Sequence, residues 1–214
     1  MNFLIQGKFY NPETTLKFTK KNLYKFNYYN KFINPISKNS DLNDDIGWSC
    51  TIKSFQMMLS IMLTKIMRKN NSHIINHIYK ENGELSIHNF IKNLNKKNIK
   101  EGNYLGSYLI SSIYSDIIQK NYNFFKFKIY KTIDNIIDIK QLNLNSGNLL
   151  LFSTKLGIDK LNKKYKELIS NCFHSPYFLG FIGGVGKSSY YFYGYDVYNN
   201  YLLYLNPHFI TDYN

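Results

Sequence analysis

The chain has 214 residues, 44 % of them hydrophobic and 17 % aromatic, with a formal net charge of +13; this suits one substantial buried core and excludes a disordered chain. The charge does not amount to a nucleic-acid site: Arg68 is the only arginine, alanine is absent, and Lys, Asn, Ile and Tyr recur throughout as from an AT-rich genome, so the guanidinium forks that read bases and phosphates are missing. No stretch reaches the roughly 20 apolar residues of a membrane span, the apolar run Met1–Ile5 is too short for a leader, and there are two cysteines, so a cytoplasmic, reduced protein with no cofactor, metal or nucleic-acid partner is expected.

In chain order, residues 1–43 read as an irregular, aromatic lead-in broken by Pro12 and Pro35, with a short strand or helix near Thr15–Phe26. Residues 44–120 read as mainly helical. From Thr51 to Arg68 the apolar positions Ile52, Phe55, Met58, Leu59, Met62, Leu63 and Ile66 recur at three- and four-residue spacing, the pattern of a core-facing helix. Residues 71–119 read as three further helical pieces, separated by Glu81-Asn82-Gly83 and Lys100–Asn103.

Residues 121–214 read as mainly sheet. Tyr122–Tyr130 alternates and is aromatic, Asn148–Ser153 is a short apolar run, and a helix is expected over Asp159–Cys172. Phe178–Ile182, Ser189–Asp196 and Tyr201–Leu205 then read as an antiparallel meander with turns at Gly183–Lys187 and Tyr198–Asn200. The fold class expected is α+β in a single domain over 1–214, with the Thr51 helix packed on the antiparallel sheet.

Asp44-Asp45-Ile46-Gly47-Trp48-Ser49-Cys50 puts a cysteine at the start of that helix. Helix N-termini present unpaired N–H groups and partial positive charge, which can lower a thiol pKa to roughly 3.5–7.5 from about 8.5. The competing reading is a small buried core residue. A histidine far along the chain, in Tyr204-Leu205-Asn206-Pro207-His208, completes the layout of a Cys–His peptidase. If the strand runs on through Pro207, Asn206 and His208 project from one face, and the amide oxygen can orient the ring toward Cys50. The bland alternative is a solvent-exposed Asn-Pro turn.

Other motifs carry less. Gly183-Gly184-Val185-Gly186-Lys187-Ser188 has Phe181 where a phosphate loop needs its first glycine, and it joins two strands, so a hairpin turn is expected there. His73 and His77 have metal-pair spacing, but Ile74 stands where a zinc peptidase places its glutamate and no third ligand suggests itself. His88, His174 and Cys172 read as structural or surface residues.

These residues resemble the autophagins, autophagy-related cysteine proteases of the papain-like clan. The likeness lies in Asp45–Cys50 with Gln56-Met57, Ser86-Ile87-His88, Leu156–Asn162, Gly180–Gly184, Ser189–Tyr195 and Tyr204–His208, and covers about Phe18 to His208. It implies a papain-like peptidase fold. It also implies a thiol peptidase that cuts after the C-terminal glycine of a ubiquitin-like autophagy modifier, both to process the precursor and to release the modifier from lipid, which would bring peripheral membrane contact through the lipidated substrate. Cys50 is then the nucleophile, His208 the base and acid, and Asn206 the orienting residue at the family's aspartate. Trp48 stands beside the nucleophile as a substrate-binding residue, and Tyr108 appears where a tryptophan lines the family's glycine channel. Lys20 falls where the family carries a tyrosine associated with the oxyanion hole, and Ser49 replaces a glycine. With Asn206 and Lys20 as departures, the alternative is an impaired pseudo-peptidase that still binds the modifier. The likeness ends six residues before the last residue, where family members continue with strands and a helix, so an externally completed or reduced sheet is expected.

Overall fold

The computed structural model describes residues 2–37, 42–67, 72–132, 136–143 and 145–212, with the backbone alone described at 67 and 72–74. Helix α2 (Cys50–Met67) is the organising element. Every described side chain from Thr51 to Leu63 is buried, as expected of a helix enclosed on all sides. Two of its polar side chains find partners inside, Gln56 Nε2 donating to Leu85 O at 2.8 Å and Ser60 Oγ to Gln56 O at 2.8 Å, while the Thr51 and Ser54 hydroxyls are enclosed without one. The expected helix end at Arg68 lies outside the described residues.

On one side of α2 lie helices α3 (Ser72–Tyr79), α4 (Ile87–Asn95) and α5 (Ser107–Lys120), in the three places that the breaks at 81–83 and 100–103 predict. Phe55 of α2 stacks on Tyr114 of α5 with the rings 3° from parallel and 5.3 Å apart, and Phe90 of α4 meets the same tyrosine at 5.1 Å. On the other side lies a five-stranded antiparallel sheet centred on β7 (Tyr190–Asp196). Strand β8 (Tyr201–Leu205) lines one edge of β7; the other edge is shared by β6 (Phe181–Gly183) and by β1 (Phe3–Ile5), which carries β2 (Lys8–Tyr10) outside it. The meander is therefore present, and α2 packs on it through Ile52, Phe55, Ile5, Tyr191 and Tyr193.

A bulge between Phe192 and Gly194 inserts one residue into β7 and so reverses which face later side chains take. Tyr191 and Tyr193 join the α2 core, whereas Tyr195 joins Leu4, Ile169 and Phe173 on the far face, under α7 (Lys166–His174). Gly194 is held to glycine by space: a Cβ there would stand 2.9 Å from Ile5 Cγ1 and 3.1 Å from Leu203 Cδ1.

Several expectations need correction. The lead-in is ordered beyond the short element expected near Thr15–Phe26, which is the helix α1 (Pro12–Asn22) with Asn11 as N-cap accepting from Thr14 N–H at 2.8 Å: β1 and β2 form a hairpin before it. Three-residue strands are too short to declare themselves by alternation. Tyr122–Tyr130 is not one strand. A helical turn, α6 (Tyr122–Phe125), ends in left-handed Lys126 before β4 (Phe127–Lys131), which pairs in parallel with β5 (Gly147–Leu151). The helix expected from Asp159 begins at Lys166, because Asn162 diverts the chain into a 3-10 turn by accepting from Lys164 N–H at 3.0 Å. Finally β3 (Tyr28–Tyr29) pairs in parallel with β9 (Ile210–Thr211), a contact across 183 positions that determines the site.

Candidate active site

The bend before α2 uses Gly47 at φ +81°, where nothing lies within 4 Å of an added Cβ; the demand is for left-handed backbone, which glycine adopts without strain. Lys53 N–H donates to Ser49 O at 2.9 Å. Cys50 thus sits in the first turn, where backbone N–H groups have no intrahelical acceptor. Its side chain is 1 % exposed, and the thiol donates to Lys187 O at 3.5 Å. The glycine-rich turn Gly183–Lys187 therefore covers the sulfur.

His208 follows β8 in irregular backbone. Asn206 Oδ1 lies 2.7 Å from His208 Nδ1 and accepts the His208 backbone N–H at 3.0 Å. The backbone group is an obligate donor, so the amide must turn its oxygen toward the histidine. Neutral His208 then carries its proton on Nδ1 and leaves Nε2 as the base. The strand stops at Leu205, and the Asn206–His208 bond comes from an Asx turn, not from the strand alternation that the sequence suggested. Burial holds the His208 pKa below the ordinary 6.5, favouring the neutral ring.

Tyr28 joins the two. Its backbone N–H is within bonding distance of Pro207 O at 3.1 Å and Phe209 O at 3.0 Å. Its ring meets His208 edge-on at 5.6 Å and 86°, and its hydroxyl is in hydrogen-bonding reach of the Cys50 side chain. Burial, then the Cys50 and Asp45 charges, push the phenol pKa well above its ordinary value, so the hydroxyl remains a donor. Tyr28 therefore faces both the thiol and the imidazole, and Tyr190 packs against the histidine at 5.0 Å.

The profile of the Peptidase C54 catalytic domain matches residues 13–214. The chain belongs to the C54 peptidase family. The Cysteine protease ATG4 of Candida albicans is 31 % identical over 198 residues, covering 84 % of this chain and 44 % of the relative. The protein of the same name from Kluyveromyces marxianus is 31 % identical over 208 residues, covering 86 % and 45 %. The probable cysteine protease atg4 of Schizosaccharomyces pombe is 28 % identical over 173 residues, covering 78 % and 53 %. The chain spans about half the length of the curated relatives it matches. Its α+β architecture, with the cysteine helix against an antiparallel sheet, is that of the papain-like clan to which C54 belongs.

Within this C54 domain the remaining expected residues are dispersed. Trp48 is buried in the main core, with its indole N–H enclosed and unpartnered. Tyr108, on the first turn of α5, is 65 % exposed, with Lys131 Nζ 4.6 Å above its ring. Lys20 is exposed on α1, eight positions before the tyrosine that faces the thiol, Tyr28. Among 20 tyrosines in the chain, and in a two-residue strand without periodicity, nothing in the sequence distinguishes Tyr28. His88 packs edge-on against Phe32 and bonds Asn34 O at 3.1 Å, His174 bonds Ser170 O at 2.9 Å, and His77 is exposed. The side chain of His73 lies outside the described residues. Among the described residues no helix is long and apolar enough to cross a membrane.

A titration of His208 followed by NMR is expected to have its midpoint below 6.5, since burial disfavours the charged ring. Asn206→Asp should raise that midpoint, because a carboxylate at 2.7 Å favours imidazolium. A wild-type midpoint at or above 6.5 would contradict the buried neutral ring.

Proposed function

We propose that this C54 domain is a cysteine peptidase that cleaves after the C-terminal glycine of a ubiquitin-like autophagy modifier, in precursor processing and in release of the lipidated form. The observation that carries the chemistry is Tyr28, whose ring meets His208 edge-on and whose hydroxyl faces the Cys50 side chain. His208 Nε2 takes the thiol proton as sulfur attacks the glycyl carbonyl carbon. The carbonyl oxygen gains negative charge, and the Cys50 backbone N–H and Tyr28 hydroxyl are the donors suited to receive it. His208 then protonates the leaving amine as the C–N bond breaks, and water, deprotonated by the same nitrogen, releases the acyl group from sulfur. Asn206 holds the ring throughout. The thiol–imidazole pair needs this orientation more than a third charge, because the thiolate itself stabilises imidazolium.

The substrate must displace the Lys187 carbonyl from the thiol. Trp48, two positions before the nucleophile and with its indole N–H unpartnered, and Tyr108, an exposed ring for the modifier tail, are the substrate-binding residues of this reading. A reactive thiol implies a reducing, cytoplasmic setting, with membrane contact arising through lipidated substrate. The likeness to ATG4 proteins supports the modifier as partner.

The test is incubation with a modifier precursor and with a modifier carrying a glycine-directed electrophile. Cleavage after glycine and adduct formation on Cys50 are expected, both abolished by Cys50→Ala. Binding of the modifier without cleavage or adduct would favour the pseudo-peptidase. Neither binding nor adduct, where a family control reacts, would overturn the proposal.

A further inference from the structure

One turn beyond Cys50, Lys53 points its ammonium into the interior, where Nζ lies 2.7 Å from Asp45 Oδ2; the two side chains are 2 % and 0 % exposed. Full burial of two charges is costly unless geometry and further hydrogen bonds compensate. Those further bonds converge on one residue. Asp45 Oδ1 accepts the Tyr29 N–H at 2.6 Å, the Asp45 N–H donates to Tyr29 O at 3.3 Å, and Lys53 Nζ stands 4.2 Å above the Tyr29 ring. Both backbone groups of Tyr29 are thus held by Asp45, and its ring is held by Lys53. Strand alternation sends the neighbouring side chain, Tyr28, to the opposite face, where Cys50 and His208 wait.

We propose that the buried Asp45–Lys53 ion pair is a positioning device that sets the Tyr28 hydroxyl against the Cys50 thiol. Residues three apart on a helix are neighbours, so Cys50, Lys53, Asp45, Tyr29 and Tyr28 form a short closed circuit in which the helix itself measures the hydroxyl-to-sulfur distance. The other edge of the strand is fixed by Pro207, Phe209 and β9, so the same dipeptide registers the histidine segment against the cysteine helix. Asp45 has a second effect in the same sense: its negative charge disfavours phenolate at Tyr28 and keeps the hydroxyl a donor. Lys53 and Asp45 are positioning residues. The inference rests on the proposed roles of Cys50 and Tyr28.

The experiment is a double-mutant cycle of Lys53→Gln and Tyr28→Phe, with Lys53→Arg as the conservative variant. Two readouts are taken on protein shown to be folded by circular dichroism. One is kcat and KM on the modifier precursor. The other is the rate of Cys50 alkylation by iodoacetamide, resolved by peptide mass spectrometry with half-buried Cys172 as internal reference; it requires no hydrolysis, so an inactive peptidase overturns the proposed function while this inference stays readable. Tyr28→Phe should lower kcat about a hundredfold, the effect of one lost oxyanion donor. Lys53→Gln should lower kcat about tenfold or more with KM within about twofold, Lys53→Arg should restore most of it, and Lys53→Gln should cost less than about twofold in the Tyr28→Phe background. The alkylation rates should show the same non-additivity. If Lys53→Gln does not fold, Asp45→Asn, which keeps an oxygen for the Tyr29 N–H, takes its place in the cycle. Additive effects on both readouts, or a folded Lys53→Gln protein with wild-type kcat and alkylation, would overturn the proposal.

Discussion

His208→Ala is expected to lower kcat/KM for a glycyl substrate by about 10²- to 10⁴-fold, the range for a lost general acid–base group, with KM changed little. In the proposed mechanism the imidazole serves twice, taking the thiol proton and then protonating the leaving amine, and among the described residues no second histidine is placed beside Cys50. Tyr28 is a poor base at neutral pH because its phenol is pushed above its ordinary range, and Asn206 does not titrate. Structural cost should be small, since His208 is half-buried and the backbone around it is held by Pro207 and Phe209 carbonyls on Tyr28. Burst and steady-state kinetics on the precursor, together with a melting curve, check this. Wild-type kcat/KM in the variant would remove the histidine from the mechanism.

Phe55→Ala is expected to destabilise the fold by about 3–5 kcal/mol, as for other large-to-small aromatic changes in packed cores. Phe55 is buried, lies flat on Tyr114 at 5.3 Å, and belongs to the core that α2 shares with both the helices and the sheet. Removing the ring leaves a cavity between layers that cannot both close on it. In a chain of this size the loss corresponds to roughly 6–20 °C in melting temperature, at about 2–4 °C per kcal/mol. A fall below about 1 kcal/mol in chemical denaturation would show that the layers collapse freely onto the gap. Because Cys50 opens the same helix, the variant should also lose peptidase activity at temperatures where wild type retains it.

The difference between these residues and Tyr28 marks the reach of sequence reasoning here. Phe55 declares itself through helical spacing over Ile52–Ile66, and Cys50 and His208 through the family motifs around them. Strand alternation points to Asn206 for a reason that the structure replaces: the bond to His208 exists, but an Asx turn makes it after β8 has ended. Tyr28 has neither period nor motif. Lys20, the position that the resemblance gives to the family's tyrosine, is exposed on α1, whereas Tyr28 faces the thiol, and spacing alone does not show where the lead-in folds back.

The amino-acid order alone determined the helical spacing of α2–α5, the three-stranded meander with its turns, the cysteine at a helix start and the family to which the chain belongs, because these depend on contacts a few residues apart or on short motifs. Tertiary structure decided the rest: the Tyr28–Tyr29 strand between Asp45 and the segment after His208, the cover of Lys187 on the thiol, and the burial of Lys53 on Asp45. Those contacts join positions that no local pattern links, and their energies arise from burial and hydrogen bonding, which exist only once the layers have closed.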